Sequence, residues 1–135
     1  MVPYAGFMMP VQYASGIKVE YSAVRNNVGV FDVSHMGEFK FSGSEAEQFL
    51  QKITINNVKK LSSGRAQYSA MCLPEGGIID DLILYKFDDH FFMVVNASNI
   101  EKNWAWIKDH CPENVDIQNV SNDLSLIAVQ GPKAR

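Results

Sequence analysis

Apolar side chains recur at intervals of three and four residues in three segments of the chain, the spacing of one face of an α-helix. The first predicted helix ends at Gly29, and the second follows a capping-box pattern formed by Ser44 and Glu47. Ser98 or Asn99 can cap the third. The predicted inward positions are Ile17, Tyr21, Val24 and Val28 in the first, Ala46, Phe49, Leu50 and Ile53 in the second, and Ile100, Trp104 and Ile107 in the third.

Between these segments lie short runs rich in β-branched and aromatic residues, which predict strands. Runs 66–72 and 78–85 are separated by a Pro- and Gly-containing loop and therefore predict a β-hairpin. Run 91–96 follows another turn and is expected to pair antiparallel with 78–85. The other predicted strands are 30–33, 37–41, 115–120 and 124–130. Helices interleaved with hairpins predict an α+β fold with a mainly antiparallel sheet and about three helices.

The charge balance excludes several classes of function. The net charge is −3, and Lys59-Lys60 is the one basic doublet, which argues against a nucleic-acid surface. No apolar run approaches the length of a membrane span, and the first residues lack the pattern of a signal peptide. Two cysteines, Cys72 and Cys111, make neither a disulfide framework nor a metal site. We therefore expect a cytoplasmic protein that binds neither nucleic acid, membrane nor metal.

Asp80 and Asp81 interrupt an otherwise apolar predicted strand. Because strand side chains alternate between two faces, the two acids are expected on opposite faces. The expected companions are Ile78, Leu82 and Leu84 for Asp80, and Ile79, Ile83, Tyr85 and Phe87 for Asp81. Burying an unpaired carboxylate is costly, so at least one acid should be paired or functional. A structural interpretation, in which the acids cap a turn or form a surface ion pair, and a functional one, proton or charge chemistry in a semi-apolar cleft, both remain open.

Tyr68 and Tyr85 are expected close to Asp81 on neighbouring strands of the hairpin. An acid flanked by aromatic rings suits a flat heterocycle that carries exchangeable N–H groups, although cross-strand tyrosine packing explains the same pattern. Ser34 and His35 invite a nucleophile-and-base interpretation, but adjacent residues rarely present a hydroxyl and its base to each other.

Four ordered blocks of the sequence resemble the signature of a known family. They are GVFDVSHMGEF at 29–39, YS at 68–69 leading to GGIIDDL at 76–82, VVNA at 94–97, and IAVQGP at 127–132. The chain is similar over nearly its whole length to the aminomethyltransferase family, the T-protein of the glycine cleavage system.

The resemblance implies a folate-binding domain and a transferase reaction. Members take an aminomethyl group from the lipoyl arm of the H-protein, release ammonia and form 5,10-methylenetetrahydrofolate. By this resemblance Asp81 is the catalytic acid, which would face the pteridine and help to activate the nucleophilic nitrogen. Tyr68 and Tyr85 line the tetrahydrofolate pocket, and Met36 and Asn96 are further binding residues.

The same resemblance implies that residues 1–135 are the N-terminal portion of the folate-binding domain, without its C-terminal half and β-barrel. We therefore expect a fragment that folds but lacks turnover by itself. Two alternatives stay open: the folate-binding module of a dimethylglycine or sarcosine dehydrogenase, and a non-catalytic relative that serves tRNA modification or iron–sulfur assembly.

Overall fold

A computed structural model describes residues 1–135. It contains three α-helices and nine strands, all paired antiparallel, which confirms the predicted α+β fold. The helices are α1 Ile17–Asn26, α2 Ala46–Ile53 and α3 Ile100–His110, with short 3₁₀-helices at Val58–Lys60 and Ala97–Asn99. The strands are β1 Val2–Tyr4, β2 Phe7–Met9, β3 Gly29–Asp32, β4 Gly37–Ser42, β5 Arg65–Cys72, β6 Ile78–Lys86, β7 Phe91–Val95, β8 Asp116–Asn119 and β9 Ile127–Gln130. None of the helices combines the length and the apolar character that crossing a bilayer requires.

The chain divides into two compact units, of which the larger is Met36–Leu124. Its sheet has the strand order β5-β6-β7-β4-β8, so β6 pairs with the strand before it and the strand after it in sequence. The predicted antiparallel return of the strand after the hairpin is confirmed by the β6–β7 ladder. An internal strand hydrogen-bonded on both edges is a rigid support for side chains that perform chemistry.

Helices α2 and α3 pack on one face of this sheet because alternate strand residues supply a continuous apolar surface. Phe39 and Phe41 of β4 are fully buried there, as the alternation predicts. The Phe39 ring lies 5.1 Å from Trp104 of α3, and the Phe41 ring lies 6.3 Å from Phe49 of α2. We call the opposite face the distal face; it carries Glu38, Lys40, Tyr68, Asp81, Ile83, Tyr85, Phe92 and Val94.

The predicted apolar stripe of α2 is buried, and that of α3 packs against the core. Asn99 is the N-cap residue of α3, as predicted, but the predicted cap of α2 is wrong. Ala46, Phe49, Leu50 and Ile53 all lie in the core. The residue that caps α2 is Glu45, and neither cap of α2 or α3 makes a side-chain hydrogen bond to its helix. The Asn99 amide is used elsewhere, because it donates to Asp80.

Alternation along β6 holds from Asp80 onward and fails before it. Asp80, Leu82 and Leu84 are buried, whereas Ile78 is 74% exposed and Ile79 is 9% exposed. The expected grouping of Ile78 with Asp80 and of Ile79 with Asp81 is therefore wrong. The physical reason is a β-bulge, since Cys72 pairs with Ile78 while Met71 pairs with Asp80 and leaves Ile79 as the extra residue.

The smaller unit comprises Met1–His35 and Ser125–Arg135. Strands β3 and β9 form one antiparallel pair, and β1 and β2 form a hairpin that the sequence analysis did not predict. Its two-residue turn places both Ala5 and Gly6 at positive φ, the backbone form that matches strand twist in tight hairpins. The predicted inward stripe of α1 is wrong, because no residue of α1 is buried and Ile17 and Tyr21 are exposed.

Glu38 of β4 is a buried acid on the distal face. Its side chain is fully buried, and neither carboxyl oxygen has a hydrogen-bond partner. Burial disfavours the charged form and raises the pKa of Glu38 from its ordinary 4.5 to about 7. The chain therefore holds a carboxyl that changes charge near neutrality.

We predict that Glu38 makes the stability of the chain fall with rising pH. A carboxyl with a raised folded-state pKa stabilises the fold fully below 4.5 and loses that contribution as the pH rises through about 7. Relative to Glu38→Gln, the unmutated chain should lose up to ~3 kcal/mol of unfolding free energy across this window. Urea unfolding at about pH 4 and about pH 8 measures the difference.

Glu75→Gln is the matched control, since Glu75 is exposed in the β5–β6 turn. Its stability relative to the unmutated chain should change little between the two conditions. A pH-independent difference between the unmutated chain and Glu38→Gln would contradict the assignment of this titration to Glu38.

Candidate active site

The two adjacent acids of β6 occupy opposite faces of the sheet. Asp80 points to the face covered by α3 and is 6% exposed. Asp81 is half-buried on the distal face, opposite Ala70 of β5. The ion pairs in the chain are Lys86–Glu47 and His90–Asp89, so neither Asp80 nor Asp81 is ion-paired. The structural alternative of a surface ion pair is therefore wrong for both acids, and their negative charge is compensated by neutral donors.

Asp80 is surrounded by three asparagine side chains. Its Oδ1 accepts hydrogen bonds from Asn96 Nδ2 and Asn99 Nδ2, each at 2.9 Å. Its Oδ2 accepts one from Asn103 Nδ2 at 2.6 Å. A buried carboxylate is tolerated when its oxygens are hydrogen-bonded in this way. The sequence prediction that one acid lies in a poorly hydrated place holds for Asp80.

Asn96 connects the two acids. It follows the last residue of β7, and from this strand end its Nδ2 donates to Asp80 Oδ1 at 2.9 Å and to Asp81 Oδ1 at 2.7 Å. One side-chain amide has two N–H donors, and the two carboxylates use both. Asn96 thus joins a buried anion on one face of the sheet to a half-buried anion on the other.

Asp81 receives its second hydrogen bond from Tyr68. The Tyr68 hydroxyl donates to Asp81 Oδ2 at 2.6 Å, although the Tyr68 ring is 65% exposed. The hydrogen bonds from Tyr68 and Asn96 lower the pKa of Asp81, while the same contact raises the pKa of Tyr68. Asp81 is therefore held as a carboxylate beside an exposed aromatic ring, with no cation to neutralise it.

The other predicted site residues lie farther from this centre. Tyr85 shares the distal face with Asp81, but it lies on the same strand, four residues along. The expectation that Tyr85 lies close to Asp81 on a neighbouring strand is wrong, since four strand residues span roughly 13 Å. Met36 is half-buried in the bend before β4, next to the Gly37–Val95 pair and so near Asn96 in register.

Asn99 and Asn103 belong to the same network and were missed by the sequence analysis. Asn96, Asn99 and Asn103 follow one another at intervals of three and four, the spacing of one helical face. Asn103 lies inside α3 and is fully buried. A polar stripe at helical spacing that leads into a helix was the signal that could have identified them.

Ser34 and His35 do not form a nucleophile–base pair. The Ser34 hydroxyl donates to the backbone oxygen of Leu126 at 3.4 Å and accepts from the Leu126 amide at 3.0 Å. The His35 ring instead lies 5.7 Å from the ring of Tyr4 and 6.1 Å from that of Phe7. Both residues have structural roles within the smaller unit.

Comparison with curated proteins finds relatives of high identity. The chain is 58% identical over 137 residues to an aminomethyltransferase of Flavobacterium psychrophilum, with 99% of this chain and 37% of that protein covered. It is 56% identical over 136 residues to an aminomethyltransferase of Chloroherpeton thalassium, with the same coverage. The chain thus spans about 37% of the length of these curated relatives.

Comparison with solved structures gives the same result at the level of the fold. The crystal structure of glycine cleavage system aminomethyltransferase T from Bartonella henselae matches with a TM-score of 0.85 at 29% sequence identity. The match covers 98% of this chain and 37% of that one. The family model described as the GCVT N-terminal domain matches residues 1–135, and the chain belongs to this family.

Proposed function

We propose that this chain supplies the catalytic carboxylate and part of the folate pocket for tetrahydrofolate-dependent aminomethyl transfer in glycine cleavage. The donor would be the aminomethyl-lipoyl arm of the H-protein, and the products would be ammonia and 5,10-methylenetetrahydrofolate. Tetrahydrofolate is a substrate in this reaction and supplies the nitrogens that accept the one-carbon unit. The names of the relatives from Flavobacterium psychrophilum and Chloroherpeton thalassium support this transferase over a dehydrogenase module or a non-catalytic binding module.

The observation that carries the proposal is the state of Asp81. Two hydrogen bonds lower the pKa of its carboxyl, and it has no cationic partner. An amine nitrogen that attacks carbon becomes more positive and must then lose a proton. A fixed carboxylate beside that nitrogen stabilises the developing charge and can accept a hydrogen bond from the N–H group. Asp81 would thus hold and activate the nucleophilic nitrogen.

The surroundings of Asp81 suit a flat heterocycle. The Tyr68 ring is largely exposed, while its hydroxyl is fixed on Asp81 Oδ2. An aromatic ring offers a packing face, and a neighbouring carboxylate accepts N–H groups at the edge of a bound pterin. We propose Tyr68, Tyr85, Asn96 and Met36 as folate-contacting residues on this basis and on the family resemblance. A cytoplasmic location stays a prediction from the sequence.

Folate binding is predicted to depend on the Asp81 charge. Asp81→Asn keeps the size of the side chain and removes the acceptor charge, so the Kd for 5-formyltetrahydrofolate should rise about ten- to hundredfold, as for the loss of a charged hydrogen bond. Calorimetric titration of the chain measures this. The matched control is Asp123→Asn, the same substitution at an exposed aspartate, which should bind like the unmutated chain.

Equal affinities of the unmutated chain and Asp81→Asn would remove Asp81 from the folate contact. Absence of binding by the unmutated chain would contradict the assignment of a pterin contact to these 135 residues.

Turnover is predicted to depend on the same residue. In a polypeptide extended from this chain to the length of the curated relatives, Asp81→Asn should lower kcat by about a hundredfold or more, because a preorganised charge is lost. The assay is ammonia release from aminomethylated H-protein in the presence of tetrahydrofolate. The 135-residue chain alone should release none. Turnover of Asp81→Asn at the unmutated rate would exclude Asp81 as the catalytic acid.

Tyr68 and Tyr85 are predicted to respond differently to loss of their hydroxyls. Tyr68→Phe removes a hydrogen bond that lowers the pKa of Asp81, so the pKa of Asp81 should rise. Tyr85→Phe should leave that pKa unchanged and weaken folate binding by about 1 kcal/mol, as for a neutral hydrogen bond. Carboxyl NMR titration and calorimetry separate the two effects. Identical responses of the two variants would mean that the two hydroxyls do not have these separate roles.

A further inference from the structure

Asp80 receives hydrogen bonds from two different elements of the larger unit. Asn99 on Oδ1 and Asn103 on Oδ2 already give each carboxylate oxygen one donor from the start of α3. Asn96 adds a third donor from the end of β7. The first two donors tie β6 to the start of α3. The third donor is the one that also reaches Asp81.

The orientation of the Asn96 amide follows from the two acids. A side-chain amide has a donor end and an acceptor end, and only the donor end can face a carboxylate favourably. The two short hydrogen bonds of the Asn96 Nδ2 group go to carboxylate oxygens, at 2.9 Å from Asp80 and 2.7 Å from Asp81, and a longer one of 3.5 Å goes to the backbone oxygen of Asp81. Asp80 is the better buried of the two, at 6% exposed. It therefore fixes the donor end of Asn96 toward the acids, whatever lies beside the more exposed Asp81.

Asp80 is itself held by side chains of α3. Asn103 is fully buried inside α3 and donates to Asp80 Oδ2, while its own Oδ1 is buried without a donor. An unsatisfied buried oxygen is costly, so the amide of Asn103 is held in this orientation by its bond to Asp80. On the other side of Asp80, Lys102 donates to the carbonyl oxygen of Ile79 at 2.7 Å. Helix α3 thus contacts both the Asp80 side chain and the backbone next to it.

We propose that Asp80 is a positioning residue, which locks the Asn96 amide and through it sets the orientation and charge state of Asp81. The relevance of this to catalysis depends on the proposed function, but the coupling itself does not. Asp80 would not touch the folate, because it lies on the face covered by α3. Its effect would pass through one amide group from one face of the sheet to the other.

The groups around Asp81 determine which other effects shift its pKa when Asp80 is replaced. Tyr68 approaches from β5, Asp80 is its neighbour on β6, and the neutral Asn96 approaches from the end of β7. From α3, the positively charged ammonium group of Lys102 donates to the Ile79 carbonyl oxygen at 2.7 Å, and this charge is the same in every variant compared below. Removing the Asp80 charge alone would lower the pKa of Asp81, because a like charge nearby raises it. Losing the Asn96 hydrogen bond would raise that pKa. The two mechanisms therefore have opposite signs.

The test measures the pKa of Asp81 in the 135-residue chain by NMR titration of its carboxyl carbon. Four proteins are compared: the unmutated chain, Asp80→Asn, Asn96→Ala and the double variant. An asparagine at position 80 can donate to the Asn96 oxygen and turn the amide around, so the Asp80→Asn variant should show a raised Asp81 pKa. When Asn96 has already been replaced by alanine, Asp80→Asn should raise the Asp81 pKa by at most about one-third as much, because directly coupled residues are non-additive.

A lowered or unchanged Asp81 pKa in Asp80→Asn would overturn the proposal, as would an upward shift that persists without Asn96. If circular dichroism shows that Asp80→Asn does not fold, the proposal is tested on the unmutated chain instead. There, titration of Asp81 should move one of the two Asn96 Nδ2 proton resonances and leave the other, bound to Asp80, nearly fixed. Equal movement of both protons would overturn the proposal.

This readout is independent of folate. If the titration behaves as expected and 5-formyltetrahydrofolate does not bind, the proposed function fails while the positioning role of Asp80 stands. If folate binds through Asp81 and the Asp81 pKa is insensitive to Asp80, the proposed function stands and the positioning role of Asp80 fails.

Discussion

Two consecutive residues of a regularly paired β-strand point to opposite faces of the sheet. In β6 this constraint applies to two acids, and it gives each a different environment: Asp80 meets Asn99 and Asn103 at the start of α3, and Asp81 meets Tyr68 on the distal face. Everything at the candidate site follows from this division. The helix-covered face supplies rigidity, because its acid is enclosed by packed elements. The distal face supplies access, because its acid adjoins an exposed ring.

Neutral amides, not cations, compensate both acids. A lysine or arginine paired with Asp81 would hold its carboxylate in the ionised form more firmly but would also neutralise the charge. Asparagine and tyrosine donors keep the carboxylate charged without cancelling its charge. The same sheet face carries Glu38, a buried acid with no donor at all and a raised pKa. Acids on one surface of one sheet thus differ in charge state because of the donors around them.

Much of the fold could be predicted from the sequence, because period-two and period-3.6 patterns depend on burial. The α+β architecture, the β5–β6 hairpin and the buried stripe of α2 were predicted. The β1–β2 hairpin, the cap of α2 and the extra residue Ile79 were not. These depend on turn geometry and register, which tertiary pairing decides. The Asp81–Tyr68 contact could be predicted from strand pairing. The asparagine network could not, because it needs α3 to be placed over β6.

Because of the extra residue Ile79, the strand register next to the β5–β6 loop differs from the register at the two acids. Next to the loop, Cys72 pairs with Ile78. Beyond the bulge, Met71 pairs with Asp80, and this pair belongs to the register of the rest of the hairpin. If the ladder ran on from Cys72–Ile78 without a slip, Ala70 would lie opposite Asp80 rather than Asp81. The two acids would then have exchanged neighbours with no change in the composition of either strand. Because of this one extra residue, the β5–β6 turn can change in length or sequence, in evolution or by design, while Asp80 and Asp81 keep their faces of the sheet.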